Sequence, residues 1–166
     1  MEYISAEEFL KQPVGVQKVL IDWWKPSVGD LIGIKTECID MSWNTITKYK
    51  VSCVNEDDLF NYNSKEELLD SFKVVGRQSY SDKTVLLLTE GQLRNFIENK
   101  YFCKMMVEYT VCKNILIKLG KINKGIFEFN KKFTFSNNKF DLLKSYWVIA
   151  CEIAKGGGLI WTKLKE

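Results

Sequence analysis

The stretch KVLIDWWKPSVGDLIGI, residues 18–34, marks the point where the chain passes from helix to strand. Apolar side chains in and just before it recur at the spacing i, i+3, i+4 and i+7, at Val16, Val19, Leu20 and Trp23. This spacing predicts a helix with one apolar face. Because the residue before a proline is disfavoured in the α region, we expect the helix to end ahead of Pro26. The apolar run LIGI, at 31–34, then predicts the first strand.

The two tryptophans of this stretch are predicted to lie in different environments, since neighbouring helical residues point about 100° apart. Trp23 shares the apolar face and is predicted to belong to the core, whereas Trp24 borders that face. Exposed tryptophans are enriched at binding hot spots, but buried ones would fix the corner between helix and sheet. We favour the corner interpretation and keep Trp24 and its neighbour Lys25 as candidate partner contacts.

Local signals predict the other elements of the N-terminal half. Capping signatures predict helix starts at three places, residues 5–8, 64–67 and 89–92. The segment ITKYKVSCV, at 46–54, alternates between apolar and polar residues and predicts a strand that forms a hairpin with 31–36. Polar segments at 55–63 and 73–84 predict loops.

In the C-terminal half, the spacing of apolar residues changes from the helical period to alternation. Apolar residues fall at odd positions over 101–112, which predicts a strand, and further short strands are predicted at 115–117, 126–129 and 132–135. A stripe of helical period predicts a last helix over 139–155. The elements together predict an α+β fold: an N-terminal helix, a β-hairpin, two short helices, an antiparallel β-meander and a C-terminal helix packed on the sheet.

The length of 166 residues and the hydrophobic content of 46% fit a single domain over 1–166. Glycines 156–158 are expected to end the last helix, so we expect 156–166 to be a mobile or loosely docked tail. No apolar run is long enough to cross a membrane, and the acidic N-terminus is unlike a signal peptide. We therefore expect a cytoplasmic protein without a membrane partner.

Composition argues against familiar catalytic sites. The chain contains no histidine, which excludes Ser-His-Asp and Cys-His mechanisms within one chain. Its five cysteines are widely spaced without a C-x-x-C motif, so neither a disulfide framework nor a zinc site is predicted. We therefore predict no catalytic, cofactor-binding or metal-binding residues and no cofactor. An enzyme assembled across an oligomer interface stays open as an alternative.

Positive charge accumulates toward the C-terminus, where residues 101–166 hold 12 basic and 5 acidic side chains. The stretch 121–139 interleaves aromatic residues with lysines, and its candidate contacts are Lys124, Lys131 and Lys132. If these lysines share an exposed face with Phe127, Phe129, Phe133 and Phe135, the face would suit unpaired bases and phosphates. The other interpretation places the phenylalanines in the core and the lysines in water.

Three segments carry a resemblance to a group of known proteins: EEFLKQP…VQKVLIDWWKP..GDL, LLTEGQLRNFIE and FDLLKSYWVIACEIA. Their order resembles small uncharacterised proteins encoded by phages and prophages of low-GC Gram-positive bacteria. The resemblance implies a mobile-element setting and no catalytic residues. We therefore predict a small cytoplasmic, non-enzymatic interaction protein with a protein partner. The alternative is a nucleic-acid-binding protein that uses the basic, aromatic C-terminal third.

Overall fold

The computed structural model describes residues 2–61, 67, 84–112, 114–136 and 139–156. Helices and two antiparallel three-stranded sheets account for these residues, which confirms the predicted α+β class. Contacts between Cα atoms divide the chain into two compact units. The N-terminal unit is Ser5–Leu88, and the C-terminal unit is Met1–Ile4 together with Thr89–Glu166. The single domain over 1–166 stays a prediction.

The N-terminal unit contains three described helices, α1 (Ala6–Leu10), α2 (Val14–Trp23) and α3 (Glu56–Asn61). Its sheet has the order β2-β1-β3, with β1 at Leu31–Ile39, β2 at Thr45–Cys53 and β3 at Thr84–Leu87. The predicted hairpin is confirmed and is longer than expected, because pairing runs from Leu31 opposite Cys53 to Ile39 opposite Thr45. The first predicted cap is also present, since Ser5 Oγ accepts from the Glu8 amide at 3.2 Å.

Two elements of this unit were not predicted, and the first of them, α3, replaces the loop predicted over 55–63. Helix α3 begins after Asn55, whose amide donates to the Asp58 carboxylate at 2.8 Å while its own side chain accepts from the Asp58 amide at 2.9 Å. Strand β3 begins at Thr84 and pairs antiparallel with β1, and its residues Val85, Leu86 and Leu87 are all buried. Apart from Thr84, the loop predicted over 73–84 lies outside the described residues. The helix predicted at 64–67 falls outside the described residues, except for Glu67.

The C-terminal unit contains two described helices, α4 (Glu90–Tyr101) and α5 (Leu142–Ala154). Its sheet has the order β4-β5-β6, with β4 at Lys104–Tyr109, β5 at Asn114–Asn123 and β6 at Ile126–Ser136. The meander is therefore confirmed. The capping box at the start of α4 is complete, because Thr89 and Gln92 each bond the other's backbone amide.

Boundaries in this unit differ from the prediction. The strand predicted from 101 begins only at Lys104, because α4 continues to Tyr101 and ends in the left-handed backbone of Phe102. The two strands predicted over 126–135 are one strand, β6. Helix α5 is capped by Asp141, which accepts from the Lys144 amide at 2.7 Å. The tail predicted over 156–166 lies outside the described residues apart from Gly156.

Across the part of the chain that the structure describes, none of the helices has the length and apolar character needed to cross a membrane.

Candidate interaction surfaces

The Trp23–Trp24 corner is reversed relative to the prediction. Trp24 is the buried ring, at 2% exposure, while Trp23 is partly exposed. The reason lies in the backbone after the ring: Trp24 keeps a helical φ of −61°, but its ψ of 132° turns the following chain out of the helix. The turn that follows returns to the ring, where Asp30 accepts from the indole N–H. Trp24 therefore offers no surface to a partner. Its neighbour Lys25 is exposed.

Hydrogen bonds close this corner. The Asp30 carboxylate accepts from the Trp24 indole N–H at 2.7 Å and from the Ser27 amide at 2.9 Å. The Gly29 amide donates to the Val54 carbonyl, and the Val54 amide donates back to the Asp30 carbonyl, at 2.8 and 2.9 Å. The turn between α2 and β1 is thus tied to the end of β2, and the corner is architectural.

The connection between β1 and β2 is a hydrogen-bonded loop at the far end of the hairpin. The Asp40 carboxylate accepts from the amides of Ser42 and Asn44, both at 2.8 Å. These bonds, that from Asn44 above all, hold the pKa of Asp40 below its ordinary value. Two backbone bonds between Asp40 and residues 43 and 44, at 3.1 and 2.9 Å, close the loop. We call residues 39–44 the hairpin tip.

The hairpin tip exposes three large apolar side chains. Ile39 is 67% exposed, Trp43 is 86% exposed and Met41 is fully exposed. Trp43 also has φ +61°, a backbone conformation that bulky residues rarely adopt. The hairpin predicted from 31–36 and 46–54 places Trp43 in its loop, and the sequence interpretation gave this residue no further role. The sequence did contain a signal. Turns usually consist of glycine, asparagine, aspartate and other small or polar residues, so large apolar side chains in this loop are unusual.

A β-bulge decides which phenylalanines of β6 share a face. Leu119 pairs with Lys131 and Gly120 pairs with Phe129, so Asn130 has no opposite residue in the ladder. An extra residue in one strand shifts its alternation by one position. Gly120 permits this close pairing, because a Cβ there would lie 2.2 Å from the Glu128 carbonyl oxygen.

The bulge separates the four phenylalanines into pairs. Directly opposed residues lie on the same face of a sheet, and the register places Phe133 and Phe135 on the face of Ile115 and Ile117. We call this the inner face. Beyond the bulge, Phe127 and Phe129 lie on the opposite, outer face. Both sequence interpretations placed all four phenylalanines on one face, and that placement is wrong.

Two aromatic residues outside the sheet lie against side chains of the inner face. The Phe135 ring lies 5.3 Å from the ring of Phe140, which precedes α5. The Lys131 ammonium lies 4.8 Å from the centre of the Tyr101 ring at the end of α4. Burial lowers the pKa of Lys131. Lys131 is therefore separated from the other candidate lysines.

The outer face brings together a different set of residues. Lys118 lies opposite Lys132, and its ammonium sits 5.3 Å from the centre of the Phe129 ring and 2.7 Å from the Glu108 carboxylate. Phe129 is 53% exposed, and Lys132 is exposed. Lys124 occupies the β5–β6 turn with φ +47°. Sequence reasoning missed Lys118, because only the strand register places it beside Phe129 and Lys132.

The arrangement of the cysteine and acidic side chains bears on metal binding and on thiol reactivity. Within those ranges, histidine, cysteine, aspartate and glutamate nowhere form a group of three or more that could hold a metal ion. The five cysteines are free thiols. Burial, followed by the nearby Glu98 carboxylate, raises the pKa of Cys103, which lowers its thiolate fraction at neutral pH.

Comparisons of the chain with protein-family models, with curated proteins and with solved structures find no match.

Proposed function

We propose that this chain is a small, non-enzymatic interaction protein that binds a protein partner through the hairpin tip. The observation that carries the proposal is the joint exposure of Ile39, Met41 and Trp43 at the end of one hairpin. Clustered exposed apolar side chains mark interaction sites, and tryptophan is among the residues most enriched at hot spots. The partner would present an apolar pocket for the Trp43 ring.

The geometry of the loop supports a binding role because it is fixed in advance. Asp40 holds the backbone amides on both sides of Trp43, so little conformational entropy is lost when a partner binds. Left-handed backbone at a bulky residue costs on the order of 1 kcal/mol, and such strain concentrates at functional sites. A glycine or asparagine would satisfy the same loop without an exposed ring.

The setting of the proposed function comes from the sequence. The order of the segments that contain WWKP, LLTEGQL and SYWVIA supports an origin in a phage or prophage of a low-GC Gram-positive bacterium. We propose that the protein acts in the cytoplasm of such a host.

The test is affinity capture from a lysate of such a bacterium with three baits. Trp43→Asn removes the exposed ring, and Phe60→Ala is the matched control, because Phe60 is 91% exposed in α3 of the same unit. We expect a protein that wild type and Phe60→Ala recover and that Trp43→Asn loses. Equal recovery by all three baits would contradict the proposal. Turnover in an activity screen, abolished by one carboxylate substitution, would contradict its non-enzymatic part.

A second candidate function is nucleic-acid binding by the C-terminal unit. One observation favours it: the outer face carries the exposed Phe129 ring together with Lys118 and Lys132. The pair Lys118–Glu108 shows that part of this charge is already compensated within the sheet. The exposed lysines of β5, β6 and the turn between them are Lys121, Lys124 and Lys132.

A further inference from the structure

The β5–β6 hairpin extends past the end of its neighbour. Strand β4 pairs with β5 only as far as Lys104 opposite Gly120. Beyond that point, the described residues 121–123 and 126–128 pair with one another as a two-stranded ribbon, closed by the turn at Lys124 and Gly125. We call residues 121–128 the arm. It begins at the bulge and projects from the three-stranded part of the sheet.

Charge on this hairpin is strongly one-sided. Residues 114–136 contain five lysines against one glutamate, a net charge of +4. Lysines 121, 124 and 132 are exposed. A surface of this sign attracts a polyanion, and nucleic acid is bound chiefly through such phosphate contacts.

Apolar and aromatic side chains accompany the charge on the outer face. Ile122 is 65% exposed and lies opposite Phe127, and the next pair along the ribbon brings in Phe129 at 53% exposure. The bulge is what places these residues with Lys132 rather than with the buried inner face. Exposed aromatic rings beside lysines form the kind of surface on which unpaired bases stack.

From these observations we infer that the arm and the adjoining outer face bind single-stranded nucleic acid. This inference rests on the second candidate function above. The Phe129 ring stacks on a base, while Lys124 and Lys132 contact phosphates on either side. Lys118 keeps its place between Phe129 and Glu108 and positions the ring. Lysines act as point charges rather than as bidentate forks for base edges, so we expect little sequence preference.

The experiment uses the full chain and a fluorescently labelled oligothymidylate, with binding followed by anisotropy over a range of salt concentrations. Wild type is expected to bind, with log affinity falling as log salt rises. Each phosphate contact on a single strand contributes about 0.7 to that slope. The variant Lys124→Gln/Lys132→Gln should therefore reduce the slope by about 1.4. The matched control Lys18→Gln/Lys50→Gln removes the same charge from exposed sites in the N-terminal unit and should leave the slope unchanged.

Substitutions of Phe129 test the stacking contact separately. Base–aromatic stacking predicts that Phe129→Leu weakens binding by roughly tenfold without changing the slope. Phe129→Tyr keeps the aromatic ring and therefore the stacking contact. It should bind within about twofold of wild type. Thermal unfolding of each variant confirms that the comparison is made between folded proteins.

The outcomes separate the inference from the function on which it rests. If wild type binds the oligonucleotide and the arm variants bind it equally well, the assignment of the binding site to the arm is wrong, while the protein still binds nucleic acid. If wild type prefers a duplex of the same length, the assignment to single strands is wrong. If wild type fails to bind at low salt, the second candidate function itself is overturned.

Discussion

The indole N–H of Trp24 donates to Oδ2 of Asp30 at 2.7 Å, six residues ahead in the chain. This bond joins the residue that follows α2 to the residue that precedes β1. It lets a large ring be buried at 2% exposure while its polar atom is satisfied. The corner thereby sets the direction in which the first strand leaves the helix.

The first prediction concerns the two tryptophans. We expect Trp24→Ala to lower the free energy of unfolding by about 3–5 kcal/mol, as truncation of a buried aromatic side chain does. Trp23→Ala should cost less, because Trp23 is partly exposed. Urea denaturation of both variants measures the difference. A larger loss for Trp23→Ala would show that the assignment of the buried ring is wrong.

The second prediction concerns the bulge. Gly120→Ala would place a Cβ 2.2 Å from the Glu128 carbonyl oxygen and 2.6 Å from the Phe129 Cα, so the two strands must separate locally. We expect a loss of about 1–3 kcal/mol or more in the free energy of unfolding. Gly91→Ala is the control, since no atom lies within 4 Å of its Cβ position in α4. That change should stabilise by about 0.5–1 kcal/mol, and equal effects at both sites would contradict the bulge geometry.

The third prediction concerns strain at Trp43. Asparagine tolerates the left-handed backbone at φ +61° better than tryptophan does, and the Trp43 ring is 86% exposed. We expect Trp43→Asn to leave the free energy of unfolding unchanged or to raise it by up to about 1 kcal/mol. Trp43→Val, which is β-branched, should be less stable than either. A substantial loss in Trp43→Asn would mean that the ring has a structural role.

The fourth prediction concerns the titration of Asp40. Hydrogen bonds from Asn44 and Ser42 lower its pKa in the folded chain. Stability from a lowered carboxyl pKa is present above the unfolded value, about 3.9, and is lost as pH falls through the folded value. The amide resonances of Ser42 and Asn44 should therefore titrate with a midpoint below about 3.9. A midpoint at or above that value would show that these bonds do not form in solution.

The fifth prediction concerns alkaline pH. Burial raises the pKa of Tyr146 to about 12. Because the folded state holds this proton more tightly, its contribution to stability is complete below the unfolded value near 10 and is lost as pH rises toward 12. Tyr146→Phe should flatten this part of the pH profile of the free energy of unfolding. An identical fall in the variant would assign the effect to other groups.

Local signals in the sequence predicted the elements that local contacts stabilise. Thr89 and Gln92 bond each other's backbone amides, so four residues are enough to predict where α4 begins. Strand β2 pairs with the neighbouring strand β1, so its own alternation is enough to predict the hairpin. Strand β3 was missed because its partner β1 is more than 45 residues away and its short apolar run shows no alternation.

The exposed and buried faces of the candidate surfaces depend on backbone geometry, which the pattern of residue types does not reveal. Helical projection placed Trp24 at the border of the apolar face, but its ψ of 132° turns the following chain, and Asp30 bonds the indole of the buried ring. Strict alternation kept Phe129 with Phe133, but the unpaired Asn130 moves them to opposite faces. Lys124 and Lys132 were identified from composition, whereas Lys118 required the register.

The central proposal is that Trp43 at the hairpin tip anchors a protein partner, and the most direct measurement is the affinity of the captured partner for purified variants. Isothermal titration should show Phe60→Ala binding as wild type does. Trp43→Asn should bind at least about 30-fold more weakly, the loss expected of a hot-spot residue. Equal affinity of Trp43→Asn and wild type would contradict the proposal.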